Sequence, residues 1–287
     1  MTRTPGSTLR SRFTLSRQIL QSHYNAPATA LWRVFEVEVV LDRLRGQGLG
    51  LDLGCGDGEL ASLILSHTGM RWTGLEIDEH DVELARRRGV YAEVKHALAS
   101  HIPEPDASFD LVFSNSALEH MEPLDQVLAE VARVLRPGGR FIFTVPTPAF
   151  DDLLLWRRVL HAVGFERLAE RYRTAMDRRL LHRNLLTPDQ WRDTLAAHGL
   201  ETLEMLPYLT ARAIAVWELL SNATGGLAWL VTGGVHPREI QRKAGMLRGP
   251  SAVAGAVASI ALFPALALAS AGERDQTGAL YVEAQRA

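Results

Sequence analysis

The 287 residues are 47% hydrophobic and 22% charged, the balance of an ordinary globular protein, which excludes a wholly disordered, collagen-like or coiled-coil chain. With 31 basic and 33 acidic residues the formal charge is −2, so no cationic excess points to nucleic acid as a partner. Cys55 is the only cysteine. That excludes a disulfide framework and a cysteine-built zinc site, implies a reducing compartment, and makes the cytoplasm the expected location.

In chain order, the first 35 residues hold Arg3, Arg10, Arg12, Arg17 and Arg33 with no acid before Glu36. The composition suits an import sequence, but a polar tail explains it more simply. From Gly48 to Pro146 short apolar runs alternate with helical patterns, the mark of a parallel sheet covered by helices on both faces. The runs read as strands are Leu49 to Leu53, Trp72 to Ile77, Tyr91 to Val94, Phe109 to Ser114 and Phe141 to Val145. The expected crossover helices are Glu59 to His67, Glu79 to Arg88 and Leu124 to Leu135, the last with Leu124, Val127, Leu128, Val131, Val134 and Leu135 on one face. Arg136-Pro-Gly-Gly139 is expected to end that helix and turn the chain. Residues 151 to 182 are helical in pattern and rich in arginine, an insertion after the fifth strand. Thr187-Pro-Asp-Gln190 reads as a capped helix start running through Trp191 to His198. Gly199 to Leu209 then suits a sixth strand and Gly278 to Ala284 a seventh.

Chemistry concentrates where the first strand meets the first helix, at Leu51-Asp-Leu-Gly-Cys-Gly-Asp-Gly58. Glycines at 54, 56 and 58 let a ligand lie against bare backbone, with amides of the helix N-terminus turned toward it. A nicotinamide-dinucleotide fingerprint needs Gly or Ala five residues after Gly54 and finds Glu59, which disfavours an oxidoreductase. Asp52 can accept hydrogen bonds from loop amides or a ligand ammonium. Glu76 lies about twenty residues beyond the glycine turn, where a carboxylate accepts both hydroxyls of a ribose. Asp78 competes for that role but is explained as the N-cap of the helix at Glu79.

With Ser108-Phe-Asp-Leu-Val-Phe-Ser-Asn115, Leu118-Glu-His120 and Arg133-Val-Leu-Arg-Pro-Gly-Gly139 added, these ordered motifs resemble the class I S-adenosylmethionine-dependent methyltransferases. The likeness is dense over residues 30 to 147 and looser over 187 to 209 and 278 to 287. It implies an α/β fold: a seven-stranded Rossmann-like sheet with helices on both faces, a helical insertion after strand five and an apolar helical insert before the last strand. It also implies S-adenosylmethionine as cofactor, bound by Asp52, Gly54, Cys55, Gly56, Gly58, Glu76, Ile77, Ser114 and Asn115. The expected reaction is methyl transfer to a small, lipophilic acceptor, O-methylation favoured. The alternatives are a non-catalytic S-adenosylmethionine-binding protein and, behind it, a nicotinamide-dependent enzyme.

Two departures bear on the site. Relatives often hold the adenine amino group with an acid about five residues before a Leu-Pro pair, and here that position is Leu98, leaving backbone amides, Ser100 or His96. A subgroup binds a divalent metal through Glu-x-x-Glu-His, but this chain reads Ser116-Ala-Leu-Glu-His120, so no metal is expected. His120 faces the expected acceptor pocket, where an imidazole can deprotonate a hydroxyl; the plainer role is a helix-start residue that packs near the cofactor. Tyr24, Trp32 and Arg33 stand where relatives close a lid, or belong to ordinary helix packing. Tyr172, His182 and Arg183 fall in the insertion where substrate specificity usually sits, or on a solvated basic helix.

The remaining feature is a stretch of Ala, Leu, Val and Gly before the last strand. Gly249 to Gly272 has no charged residue over 24 positions, long enough as a helix to span about 36 Å. With Ala213 to Val235 as a second arm, it is expected to form a hairpin that lies on or dips into the cytoplasmic leaflet, or an Ala-rich pair serving as lid or dimer surface. The expected division is 1–30 tail and lid, 31–147 cofactor-binding core, 148–186 helical insertion, 187–211 end of the core sheet, 212–277 apolar insert and 278–287 last strand. A peripheral membrane contact is expected through 212–272.

Overall fold

The structure, a computed structural model, describes residues 9–22, 27–226, 252–271 and 276–287. Tyr24, the basic loop 236–248 and most of the expected hairpin's turn lie outside the described residues. In chain order the elements are α1 (Leu9–Ser22), α2 (Pro27–Leu41), β1 (Leu49–Leu53), α3 (Glu59–Ile64), β2 (Arg71–Glu76), α4 (Glu79–Arg88), β3 (Glu93–His96), β4 (Phe109–Asn115), α5 (Leu124–Val134), β5 (Leu135–Pro146), α6 (Ala149–Leu153), α7 (Leu155–Ala162), α8 (Glu166–Leu180), α9 (Pro188–Ala197), β6 (Leu200–Thr210), α10 (Ala211–Ser221), α11 (Ala252–Ser270) and β7 (Thr277–Arg286). They fall into two compact units, one from positions within 1–39, 149–181 and 208–278, the other from 40–148, 182–207 and 279–287.

The second unit holds the sheet, whose strand order is β3-β2-β1-β4-β5-β7-β6. The first five strands in that order pair in parallel, and β7 runs antiparallel to β5. Continuous apolar runs fit this arrangement, because a parallel strand is covered on both faces. In β1, Leu51 and Leu53 are fully buried on one face and Asp52 necessarily points to the other. Leu51 and Leu53 join Phe141, Phe143, Val127, Val131, Trp191 and Leu195 in the main core under α5 and α9, while Val82 and Ala85 of α4 form a second cluster with Val94.

Local signals act as expected at two helix starts. Asp78 caps α4 by accepting from the amides of His80 and Asp81, and Thr187 with Gln190 forms a reciprocal capping box on α9. Arg136-Pro-Gly-Gly139 departs from expectation. Its turn, with Gly138 at a φ of 76°, falls within the span of β5, which begins at Leu135 directly after α5, rather than ahead of the strand. Leu135 pairs with Phe109, and the register shifts before Arg140 meets Leu111. The irregularity takes up the proline and glycines within the strand.

The first unit is helical. Trp32, Phe150 and Trp217 form an edge-to-face trio with centroids 5.4 to 5.6 Å apart. Trp32 is therefore a packing residue of this unit. Arg12 pairs with Glu38 at 2.9 Å and lies over the Phe35 ring. α11 packs along α1, with Phe13 edge-on to Phe263 at 5.2 Å. Among the described residues no helix is long and apolar enough to cross a membrane.

Candidate cofactor and active site

The β1–α3 loop folds back on the end of β2. Gly54 and Cys55 donate their amides to the Leu75 carbonyl at 2.9 and 3.1 Å, Gly58 donates to the Cys55 carbonyl, and Gly56 donates to Glu76 Oε2 at 2.9 Å. These loop amides are therefore used within the protein. A loop so committed is a poor cradle for a diphosphate, which is held by free amides. All three loop glycines have positive φ. At Gly54 a Cβ would come 2.8 Å from the Ala117 Cβ, so that glycine permits close packing of β1 on the chain after β4. Gly56 is different: φ is 54° and a Cβ would meet nothing within 4 Å. The open space above Gly56 is where a ligand can lie on bare backbone.

Glu76 ties the loop at Gly56 to the end of β2. Its Oε1 accepts from the amides of Ile77 and Asp78 at 2.8 and 3.0 Å, and its Oε2 from Gly56. A carboxylate offers about four lone-pair positions, and three are filled. Cys55 is half-buried; burial, with the charges of Asp52 and Glu76 adding to it, pushes its thiol far up, so it stays a neutral thiol.

Asp52 is 4% exposed and accepts a 2.5 Å hydrogen bond from the Tyr91 hydroxyl. Burial raises its carboxyl from an ordinary 3.8 to about 7; the Tyr91 bond opposes this and the Glu76 charge adds to it. The native protein thus keeps a proton that the unfolded chain has lost, so this group's contribution to stability is fully present below about 4 and disappears as pH rises through about 7. Urea unfolding midpoints of the wild type should decline across that window relative to Asp52→Asn; parallel curves would remove the linkage. Tyr91 was read from sequence as part of an apolar strand. Its partner lies 39 residues away, and no local pattern marks the pair.

Past β4 the chain turns sharply. Ser114 is fully buried and donates to the Leu53 carbonyl at 2.8 Å, which ties β4 to β1 from inside the sheet. Asn115 Oδ1 accepts from Thr144 Oγ1 at 3.2 Å. Ser116 takes a left-handed φ of 45°, uncommon for a non-glycine residue. The turn Leu118–His120 follows, with the His120 side chain 43% exposed and its Nε2 3.9 Å from the buried carboxylate of Glu119. His182 lies against His120, ring centroids 6.0 Å apart and 28° from parallel. Burial, and secondarily the charge of His120, lowers His182 to about 4, so it is neutral at neutral pH.

A second residue the sequence did not reveal holds this turn. Asn184 Nδ2 donates to the carbonyls of Leu118 and Met121 at 3.0 and 2.5 Å, and the amides of Arg183 and Asn184 donate to the Glu119 carbonyl. Asn184→Ala should destabilise by about 1 to 3 kcal/mol by stranding part-buried acceptors. Urea denaturation measures it, and a loss within about 0.5 kcal/mol would mean the turn holds itself.

Elsewhere, Ile77 and Leu98 are 60% and 52% exposed, and His96 Nε2 lies 2.7 Å from the Ile77 carbonyl. His96 is thus engaged with the backbone after β2. Tyr172 donates to Glu218 within the first unit.

Comparison with known proteins bears on what this site is. A family model described as a methyltransferase domain matches residues 51–143. The 27-O-demethylrifamycin SV methyltransferase of Amycolatopsis mediterranei (strain S699) is 40% identical over 129 residues, 43% of this chain and 44% of that protein. The O-methyltransferase rstn1 of Aspergillus nomiae is 31% identical over 160 residues, 46% of this chain and 69% of that protein. The chain belongs to the class I S-adenosylmethionine-dependent methyltransferase family. The match spans less than half the length of the first of these relatives. Among solved structures, the [4+2]-cyclase SpnF superposes with a TM-score of 0.53 at 19% identity, covering 97% of this chain and 92% of that one. That likeness shows the fold, and a cyclase on this fold illustrates that chemistry must be argued from the site.

S-adenosylmethionine is the family's cofactor, and the residues present fit it. The open face of Gly56, the remaining lone pair of Glu76 and the buried carboxyl of Asp52 suit a ligand with hydroxyls and an ammonium but no phosphate.

Proposed function

We propose that the protein is an S-adenosylmethionine-dependent methyltransferase of a small, lipophilic acceptor, with O-methylation the favoured outcome. The observation that carries this reading is the pairing of a phosphate-unfriendly glycine loop with Glu76 at its open glycine, Gly56. In this reading Glu76 receives the ribose. Because three of its roughly four lone-pair positions are filled, a ribose that engages it with both hydroxyls displaces one backbone amide. Asp52 receives the cationic amino group and loses its proton in doing so. Gly54, Cys55, Gly56 and Gly58 provide the backbone wall, and the exposed apolar side chains of Ile77 and Leu98 offer the flat adenine something to lie on in place of the acid that relatives place there. Ser114 and Asn115 act from beneath, Ser114 by fixing β1 to β4.

The cofactor supplies an already activated methyl group, so the protein needs to position the acceptor in line and remove its proton. His120 is the base in this proposal. An imidazole at the end of the β4 turn takes the hydroxyl proton on a ring nitrogen, and a neutral His182 at its face adds no opposing charge. The names of the relatives support an oxygen acceptor. The single cysteine supports a cytoplasmic setting, with the apolar stretch 212–277 at the inner face of the membrane. Calorimetric titration with S-adenosylmethionine, followed by turnover to S-adenosylhomocysteine with candidate hydroxylated lipids, tests the proposal. Binding without turnover on any acceptor would favour a non-catalytic binding protein.

A further inference from the structure

Within the first unit, the hairpin of α7 and α8 presents a surface that its own packing does not explain. α7 is anchored at its start, where Glu218 accepts the amides of Leu155 and Trp156, yet the helix buries none of its residues. Trp156, Val159 and Val163 recur at the spacing of one helical stripe and are 43%, 40% and 60% exposed; past the Gly164 turn, Phe165 and Leu168 are 61% and 51% exposed. A short helix draws most of its stability from burying an apolar face. A contiguous stripe of this size left in water marks a surface that something covers.

Charge indicates what covers it. Residues 155 to 180 carry seven arginines and three acids, a local positive excess in a chain of net charge −2. Arg157 and Arg173 are engaged with Asp152, Glu170 and Asp177, and Arg179 turns inward to Asn222 and Ser221. Arg158, Arg167, Arg171 and Arg178 are exposed. The last three follow one face of α8 and, with Glu170, Arg173 and Thr174, border an open surface groove. An exposed aromatic-bearing stripe in one hairpin with a row of exposed arginines is the chemistry of an interfacial element on an anionic bilayer. A second copy of this chain fits less well, because a two-fold contact would set the arginine row of one copy against that of the other.

We infer that the α7–α8 hairpin is a membrane-docking element, seating Trp156, Val159, Val163, Phe165 and Leu168 at the headgroup boundary and Arg167, Arg171 and Arg178 on lipid phosphates of an anionic bilayer. This surface is made by other residues than the apolar stretch 212–277, to which α7 is tied through Glu218 at its start, and the inference goes beyond the methyl-transfer reading. Its test needs no cofactor, so the two can fail independently.

Flotation of the full chain with vesicles decides it. The protein should float with phosphatidylglycerol–phosphatidylcholine vesicles at least about tenfold more than with phosphatidylcholine alone, and high salt should reverse this. Trp156→Ser with Phe165→Ser, and separately Arg167→Glu with Arg171→Glu, should each cut the bound fraction about fivefold or more. All four positions are exposed, so unfolding midpoints should not move, and circular dichroism serves as a second check of the fold. Absence of flotation with anionic vesicles, or variants that float like the wild type, would overturn the inference. So would a dimer seen by light scattering that the Trp156→Ser, Phe165→Ser pair abolishes, which would give the surface to a second copy.

Discussion

Gly56→Val and Glu76→Ala should each take S-adenosylmethionine binding below detection or weaken it severely, by two separable routes. Valine at position 56 meets both obstacles at once. Its backbone would have to hold a φ of 54°, strained for a β-branched side chain, and its methyl groups would fill the open space above the loop. Gly56→Ala adds a single carbon there and should weaken binding less, giving a graded series. Glu76→Ala removes a charged acceptor from three backbone amides as well as from the ligand. A charge-assisted hydrogen bond is worth about 1.5 to 3 kcal/mol, or roughly ten- to more than a hundredfold in affinity. Loosening of the Gly56 amide adds to that loss. Calorimetric titration of each variant, with circular dichroism to confirm the fold, measures both; unchanged affinity in the pair would remove the site from this loop.

His120→Ala is the second large effect. If the imidazole takes the acceptor proton, turnover should drop by about a hundredfold or more while the cofactor dissociation constant stays put. The side chain is 43% exposed, so its removal leaves little cavity, and a lower rate cannot be ascribed to unfolding. His182→Ala provides the contrast. That ring is half-buried and neutral at neutral pH, and its loss should disturb packing and acceptor handling with a smaller loss of turnover than His120→Ala. A drop of only a few-fold in His120→Ala would return the residue to a structural role.

The sheet was legible because apolar runs punctuated by glycine turns follow directly from strands covered on both faces, and because Asp78 and Thr187 cap helices through bonds two or three residues away. Where the sequence reading was incomplete, pairing on both sides absorbed local chemistry: Pro137 and the glycines of 138–139 turn the backbone, Gly138 at a φ of 76°, but Leu135 pairs with Phe109 before them and Arg140 with Leu111 after them, so the turn is a bulge in β5 rather than a break before it. The candidate site divides in the same way. Glu76 could be singled out by its distance from the glycines, a spacing set by one strand-helix-strand unit. Tyr91 and Asn184 could not, because each is defined by a partner 39 to 66 residues away. The exposed stripe of α7 has yet another cause. Amphipathic periodicity predicts a face that wants cover, but the pattern is the same whether protein or lipid supplies it.

The most direct measurement is a titration of the purified full-length chain with S-adenosylmethionine and, in parallel, with a nicotinamide dinucleotide. A loop whose amides are spent on Leu75, Cys55 and Glu76, and whose open glycine adjoins the carboxylate proposed to receive a ribose, should bind the first with about 1:1 stoichiometry and show no heat with the second. Heat with the dinucleotide and none with S-adenosylmethionine would contradict the account at its centre.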